Sequence, residues 1–163
     1  VRHRAGFAYS QRSQRYVDES EGAFVTPPAL VGGDGESDEA RRILEDAVEK
    51  ASDSYGELVK ALEDALPRER FESGTDRRKA IRQAARAVLP NAAETKIFVT
   101  GNVRAWRHFI EMRGAIFADW EIRALAIEVL ELLQREAPLL FGDFTVEPLP
   151  DGTRVAKPAY SKV

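Results

Sequence analysis

The sequence predicts an α+β protein: a helix-rich single domain over residues 1–163 with a small mixed sheet. Three observations carry that expectation. Apolar residues recur every three or four positions over long stretches, which is the period of amphipathic helices. One short β-branched run, Thr95-Lys96-Ile97-Phe98-Val99-Thr100, alternates as a strand does. A chain of 163 residues with 44% hydrophobic and 31% charged residues can bury one core and is not composed like a disordered chain.

Pro27-Pro28 and Gly32-Gly33-Asp34-Gly35 resist regular structure, so residues 27–37 are expected to be a loop. Ser37-Asp38 then offers a helix N-cap. Ile43, Leu44, Ala47, Val48, Ala51, Tyr55, Leu58, Val59 and Leu62 form the stripe of a long helix that ends near Leu66-Pro67. Thr75 reads as the cap of a second helix, with Ile81, Ala84, Ala85 and Val88 on one face and Pro90 as its stop.

After the strand, Gly101-Asn102 breaks the run. A third helix carries Trp106, Phe109 and Ile110 to Arg113-Gly114, where glycine suits a left-handed closing position. A last helix bears Ile122, Leu125, Ala126, Val129, Leu130 and Leu133 before Pro138. Phe141 to Val146 reads as a short strand, and Asp151-Gly152 as a turn before a polar tail.

Several classes of function are excluded by composition. The chain has no cysteine, hence no disulfide, no thiolate metal site and no cysteine nucleophile. His3 and His108 are its only histidines, too few for a histidine-rich zinc site. No apolar run is long enough to span a membrane, and the first residues lack the apolar segment of a signal peptide, which makes the cytoplasm the expected location. Val1-Arg2-His3-Arg4 is an abrupt start without Met, so the chain is expected to be the C-terminal part of a longer protein.

Charge is distributed unevenly. Residues 1–17, VRHRAGFAYSQRSQRYV, carry four arginines and no acid in a chain of net charge −3. Guanidinium forks bind phosphate and carboxylate through charge-assisted bonds, so this segment reads either as a phosphate-and-base grip or as a basic arm for nucleic acid. The acidic whole lacks a broad basic footprint, which weighs against nucleic acid. A second basic group, Lys79, Arg82 and Arg86, shares one face of the second helix and by itself reads as a solvated face.

Arg2-His3-Arg4 followed by Ser13-Gln14-Arg15-Tyr16 resembles the signature of the flavin-dependent thymidylate synthases, the ThyX family. The strings RQAARAVLPNAAETKIFVTGNVRAWRHFIEMR and ADWEIRALAIEVL extend that resemblance over almost the whole chain. It implies the C-terminal part of that family's fold, without the N-terminal part that contributes to flavin binding. It also implies a methyltransferase that converts dUMP to dTMP with FAD, NADPH and methylenetetrahydrofolate, as a homotetramer with active sites shared between subunits.

The resemblance also implies roles by position. Arg2, His3 and Arg4 match the triplet that contacts flavin and nucleotide, and Arg2 is carried to both sites. Gln11, Arg12, Ser13, Gln14 and Arg15 match the second half of the motif on the dUMP side, with Gln11 also facing FAD. Lys79 and Arg86 fall on the dUMP side, and Asn102, Val103, Arg104 and His108 match a flavin-contacting stretch. Arg113 matches the arginine that polarises the uracil ring, which makes it the catalytic candidate.

Those residue types suit the chemistry. Thymidylate synthesis through a thiolate adduct is closed to a chain without cysteine. A fixed guanidinium beside the uracil N3/O4 edge instead stabilises charge developing on the ring. The hard redox chemistry belongs to the cofactor, and the protein supplies orientation and electrostatics.

Apart from the resemblance, His108 reads as a structural histidine and Arg104 and Arg107 as exposed helix charges. Trp106 and Phe109 read as core, and Glu121 and Arg123 as packing or subunit contacts. Relative to the family pattern, Ala5-Gly6 adds a residue that the freedom of Gly6 absorbs, and Arg12 adds a charge. Two other readings stay open: a family relative acting on another pyrimidine nucleotide, and a non-catalytic nucleotide- or nucleic-acid-binding module.

Overall fold

The computed structural model describes residues 5–13, 22–31 and 38–161. Its elements in chain order are β1 (Phe7–Gln11), α1 (Asp38–Ala65), α2 (Gly74–Ala85), β2 (Ile97–Gly101), α3 (Val103–Arg113), α4 (Trp120–Glu136), α5 (Pro138–Phe141), β3 (Phe144–Pro148) and β4 (Arg154–Pro158). Short 3₁₀ turns occupy Pro28–Leu30, Arg68–Arg70 and Arg86–Val88. This is the expected α+β content, with the strands in two two-stranded sheets, β1 with β2 and β3 with β4. The chain resolves into two compact units, Val1–Ser10 with Phe98–Val163, and Gln11–Ile97.

The Gln11–Ile97 unit is built on α1, which packs against α2. Tyr55 on α1 and Ile81 and Ala85 on α2 are buried. The expected cap at Ser37 and the glycines at 32–35 lie outside the described residues. The cap of α2 is Ser73 rather than Thr75: its hydroxyl accepts the Asp76 N–H at 3.1 Å, and Thr75 already sits within the helix. Arg77 reaches back to the C-terminal end of α1, donating to the carbonyls of Leu66 and Glu63 and satisfying acceptors that a helix end leaves without partners.

The other unit has its core where α3, α4 and α5 meet the β3–β4 hairpin. Ile110, Ile127, Leu130, Phe141, Phe144 and Ala156 form it, with Trp106, Phe109, Leu133, Ala137 and Val146 packed around them. Trp106 and Phe109 are therefore core residues, as their helical spacing implies. Phe7 of β1 sets its ring edge-on to Trp106 at 4.9 Å, and Trp106 does the same to Phe109 at 5.8 Å, an edge-to-face geometry that ring quadrupoles favour.

Three sequence expectations change here, the first being the strand read from Phe141: Phe141 closes α5, and β3 begins at Phe144. The stretch after Asp151-Gly152 is not a polar tail but β4, paired antiparallel with β3 in the register Phe144↔Pro158, Val146↔Ala156 and Pro148↔Arg154. Burial of Val155 and Ala156 holds it in place. Gly114 is not left-handed: it closes α3 at φ −79° and ψ −7°. Its reason is proximity, since a Cβ there would lie 2.7 Å from the Ala156 Cβ and 2.7 Å from the Ile110 carbonyl oxygen. Gly6, in contrast, does need its freedom, with φ at +78°.

Candidate functional site

Helix α3 is the element on which the site is organised. Asn102 caps it, its side-chain oxygen accepting the Ala105 N–H at 2.9 Å. A cap of this kind leaves the first turn presented in a fixed direction. Gly6 approaches the same cap: a Cβ there would meet the Ala105 Cβ at 3.0 Å and the Asn102 amide nitrogen at 3.1 Å. The residue that lengthens the arginine-rich motif is thus seated against the start of α3, and the Asn102 N–H donates to the Gly6 carbonyl.

Beyond the cap, Val103, Arg104 and His108 line one cleft of about 530 Å³ together with Arg107, Glu111, Phe144 and Tyr160. Positions 104, 108 and 111 fall on one helical face, so α3 supplies one wall. Phe144 comes from β3, and Tyr160 follows β4. The lining sets Arg104, Arg107 and His108 beside Val103, Phe144 and Tyr160, with the acid Glu111 among them. It can receive a flat aromatic group and an anionic group side by side.

Arg107 is more than an exposed helix charge. Its Nη1 and Nη2 donate to Oδ1 and Oδ2 of Asp143, both at 2.6 Å, in a two-pronged pair. Its guanidinium carbon lies 4.7 Å from the centre of the Phe144 ring. The hydrogen bonds from Arg107, and then its charge, hold the Asp143 carboxyl below the usual aspartate range against the opposing effect of desolvation. A depressed folded-state value stabilises the fold above the unfolded aspartate range near pH ~4, and that contribution disappears as pH falls through the lowered value. The stability difference between wild type and Asp143→Asn, measured by urea unfolding, should therefore be full at pH 7 and shrink below about pH 4. An unchanged difference at pH 3 would contradict the pair.

Arg113 is the last residue of the eleven-residue α3, at the end opposite the cap, and half-buried. A cation at a helix C-terminus meets the negative end of the macrodipole, which favours it there. Arg123, read from sequence as a packing or contact residue, is indeed buried, at 3% exposure.

The remaining candidates that fall among the described residues lie in the Gln11–Ile97 unit. Gln11 donates from its amide to the Thr95 hydroxyl at 3.2 Å, and the Arg12 N–H donates to the Lys96 carbonyl at 2.8 Å. Ser13 is half-buried. Lys79 pairs with Asp76 at 3.5 Å on α2, and Arg86 stands exposed at the C-cap of that helix. Arg2, His3, Arg4, Gln14 and Arg15 lie outside the described residues. The cleft residues Arg107, Glu111, Phe144 and Tyr160 were not among the sequence candidates. Glu111 was within reach of such a reading, because it continues the face of Arg104 and His108; Phe144 and Tyr160 were not, because only the folded hairpin brings them to α3.

Comparison with known proteins places these residues in a family. The model of the thymidylate synthase complementing protein family matches residues 1–139. The chain is 52% identical over 157 residues to the flavin-dependent thymidylate synthase of Mycobacterium bovis (strain BCG / Pasteur 1173P2), covering 96% of this chain and 60% of that protein. The enzyme of Mycobacterium tuberculosis (strain ATCC 25618 / H37Rv) is similar to the same extent, and that of Mycobacterium avium (strain 104) is 51% identical over 156 residues. The chain thus spans about three-fifths of the length of these relatives. With the match running from the arginine-rich start through α3 and α4, the chain belongs to the thymidylate synthase complementing protein family.

Proposed function

We propose that this chain serves the conversion of dUMP to dTMP, with methylenetetrahydrofolate as one-carbon donor and with FAD and NADPH. The relatives it matches are named flavin-dependent thymidylate synthases. The observation that carries the reading is the composition of α3: Asn102 as cap, Val103, Arg104 and His108 in one cleft, and Arg113 at the far end.

The cleft fits a flavin nucleotide in its chemistry. Val103, Phe144 and Tyr160 offer surface for a ring system, while Arg104 beside the start of an eleven-residue helix suits a pyrophosphate. Asn102, Val103, Arg104 and His108 would hold FAD, joined by Gln11 and by Arg2, His3 and Arg4. When bound, the flavin would supply the electron transfer that no side chain can.

For dUMP, the proposed holders are Arg2, Gln11, Arg12, Ser13, Gln14, Arg15, Lys79 and Arg86, cations, amides and a hydroxyl matched to a phosphate monoester and a sugar. Arg113 has the catalytic role. Its charge at the uracil ring would stabilise the electron density that builds there as the one-carbon unit is accepted. A guanidinium does not act as a proton carrier, so this role is electrostatic.

Self-association into a homotetramer in the cytoplasm accompanies the proposal. The 28-residue helix α1 supports it, since Tyr55 is its one fully buried residue among those described, and Ile43 is 64% exposed on the apolar stripe. No described helix is long and apolar enough to cross a membrane.

The test uses protein expressed from its complete reading frame. It should be yellow, its flavin spectrum should change on adding dUMP, and NADPH oxidation should require both dUMP and methylenetetrahydrofolate. Colourless protein that cannot be reconstituted with FAD sinks the flavin assignment. A methylated product other than dTMP moves the substrate to another pyrimidine nucleotide.

A further inference from the structure

We propose that Arg123 is a positioning residue for Arg113, acting as a buried clamp on the backbone that follows α3; its catalytic consequence rests on the role proposed for Arg113. Among the described residues Arg123 is the one charged side chain that is buried. Burying a guanidinium costs several kcal/mol unless its donors and charge are satisfied, so an apolar residue would hold α4 at lower cost if packing were the only purpose.

The fork is spent on two different segments. One terminal nitrogen, Nη1, donates to the Ile116 carbonyl at 2.9 Å, and Nη2 donates to the Thr153 hydroxyl at 2.9 Å. That hydroxyl passes its own proton to Asp151 Oδ1 at 2.6 Å, and the same oxygen accepts the Thr153 N–H at 2.9 Å. A hydroxyl has one proton to give and lone pairs to receive, so Thr153 can bridge a cation to a carboxylate. The counter-charge of Arg123 therefore sits one hydroxyl away, on the turn between β3 and β4.

The segment it holds is short, buried at Gly114 and Ala118 but open between them. Ile116 is 66% exposed and Phe117 is 73% exposed, so their side chains contribute little packing. Between those ends, backbone bonds hold it. Gly114 N–H donates to the Ile110 carbonyl at 2.7 Å, and the Gly114 carbonyl accepts from the Ala156 N–H at 2.8 Å. Ala118 N–H closes the turn on the Ala115 carbonyl at 3.0 Å. Arg123 adds the bond at Ile116, three residues past Arg113. Between them, β4 and Arg123 determine how the end of α3 leaves the helix, and so where the Arg113 side chain starts from.

The experiment uses protein from the complete reading frame, with variants Arg123→Gln, Arg123→Lys and Thr153→Ala. Two readouts are taken: hydrogen–deuterium exchange of residues 114–118, and kcat and KM for dUMP in dTMP formation. Misplacing a catalytic group by about 1 Å can cost about a hundredfold, so Arg123→Gln should lower kcat by roughly ten- to a hundredfold. Exchange in 114–118 should rise, and KM for dUMP should stay within about threefold, because the phosphate is gripped elsewhere. Arg123→Lys, which keeps a donor for Ile116, should recover most of the rate, and Thr153→Ala should fall between.

Arg123→Gln that folds with unchanged exchange, or with raised exchange and unchanged kcat, overturns the proposal. If Arg123→Gln does not fold, Thr153→Ala decides on the same two criteria. A wild-type protein that forms no dTMP instead sinks the reaction assigned above, and the exchange measurement still decides whether the clamp exists.

Discussion

Replacing Arg113 with alanine should lower the rate of dTMP formation by about two to three orders of magnitude, the loss seen when a preorganised charge donor is removed from a developing anion. FAD should remain bound, because the proposed flavin residues Asn102, Val103, Arg104 and His108 sit at the other end of α3. Arg113→Lys should restore little. Lysine brings a point charge on a flexible stem in place of a planar fork with fixed directions, and an electrostatic role depends on those directions. The measurement is single-turnover dTMP formation alongside FAD titration. Near-normal turnover by Arg113→Ala removes the residue from its role; loss of FAD with loss of turnover makes it a structural residue of α3.

The helical frame of α3 was largely legible in the sequence. Apolar residues at three- and four-residue spacing located α1, α3 and α4, since the period of a helix is written in its own neighbours. The positions of Asn102, Arg104 and His108 follow from the same period, because residues three and four apart share a face. The need for freedom at Gly6 was also legible, and the backbone there has a positive φ.

Long-range pairings were what the sequence concealed. Asp143 lies 36 residues from Arg107, and neither position alone signals the other. Strand β4 is five residues long, and its two core residues, Val155 and Ala156, are adjacent rather than alternating. Such a strand carries no period-two signal and looks like a tail until β3 pairs with it. Gly114 shows the same limit from another side. A glycine at a helix end suggests a left-handed cap, whereas the steric demand here comes from Ala156, which reaches it only in the folded hairpin.

Phe144→Ala should destabilise the α3–α4–hairpin unit by about 3–5 kcal/mol, the range for removing a buried ring from a close-packed core. Phe144 is 4% exposed and belongs to the same cluster as Ile110, Leu130 and Phe141. Its ring also lies under the Arg107 guanidinium, a contact that adds roughly 0.5–1 kcal/mol where solvent still reaches the cation. Phe144→Leu separates the two contributions. Leucine keeps most of the apolar volume and should cost clearly less than alanine, but it has no π face to offer Arg107 or a ligand in the cleft. Urea unfolding reads the first effect, and equal midpoints for wild type and Phe144→Ala would contradict it. Flavin titration reads the second. If the cleft lined by Val103, Arg104, His108 and Phe144 receives a flavin ring, Phe144→Leu should weaken FAD binding by more than its small loss of stability explains. A leucine variant with unchanged FAD affinity would place the flavin ring away from Phe144 and leave that residue to the core alone.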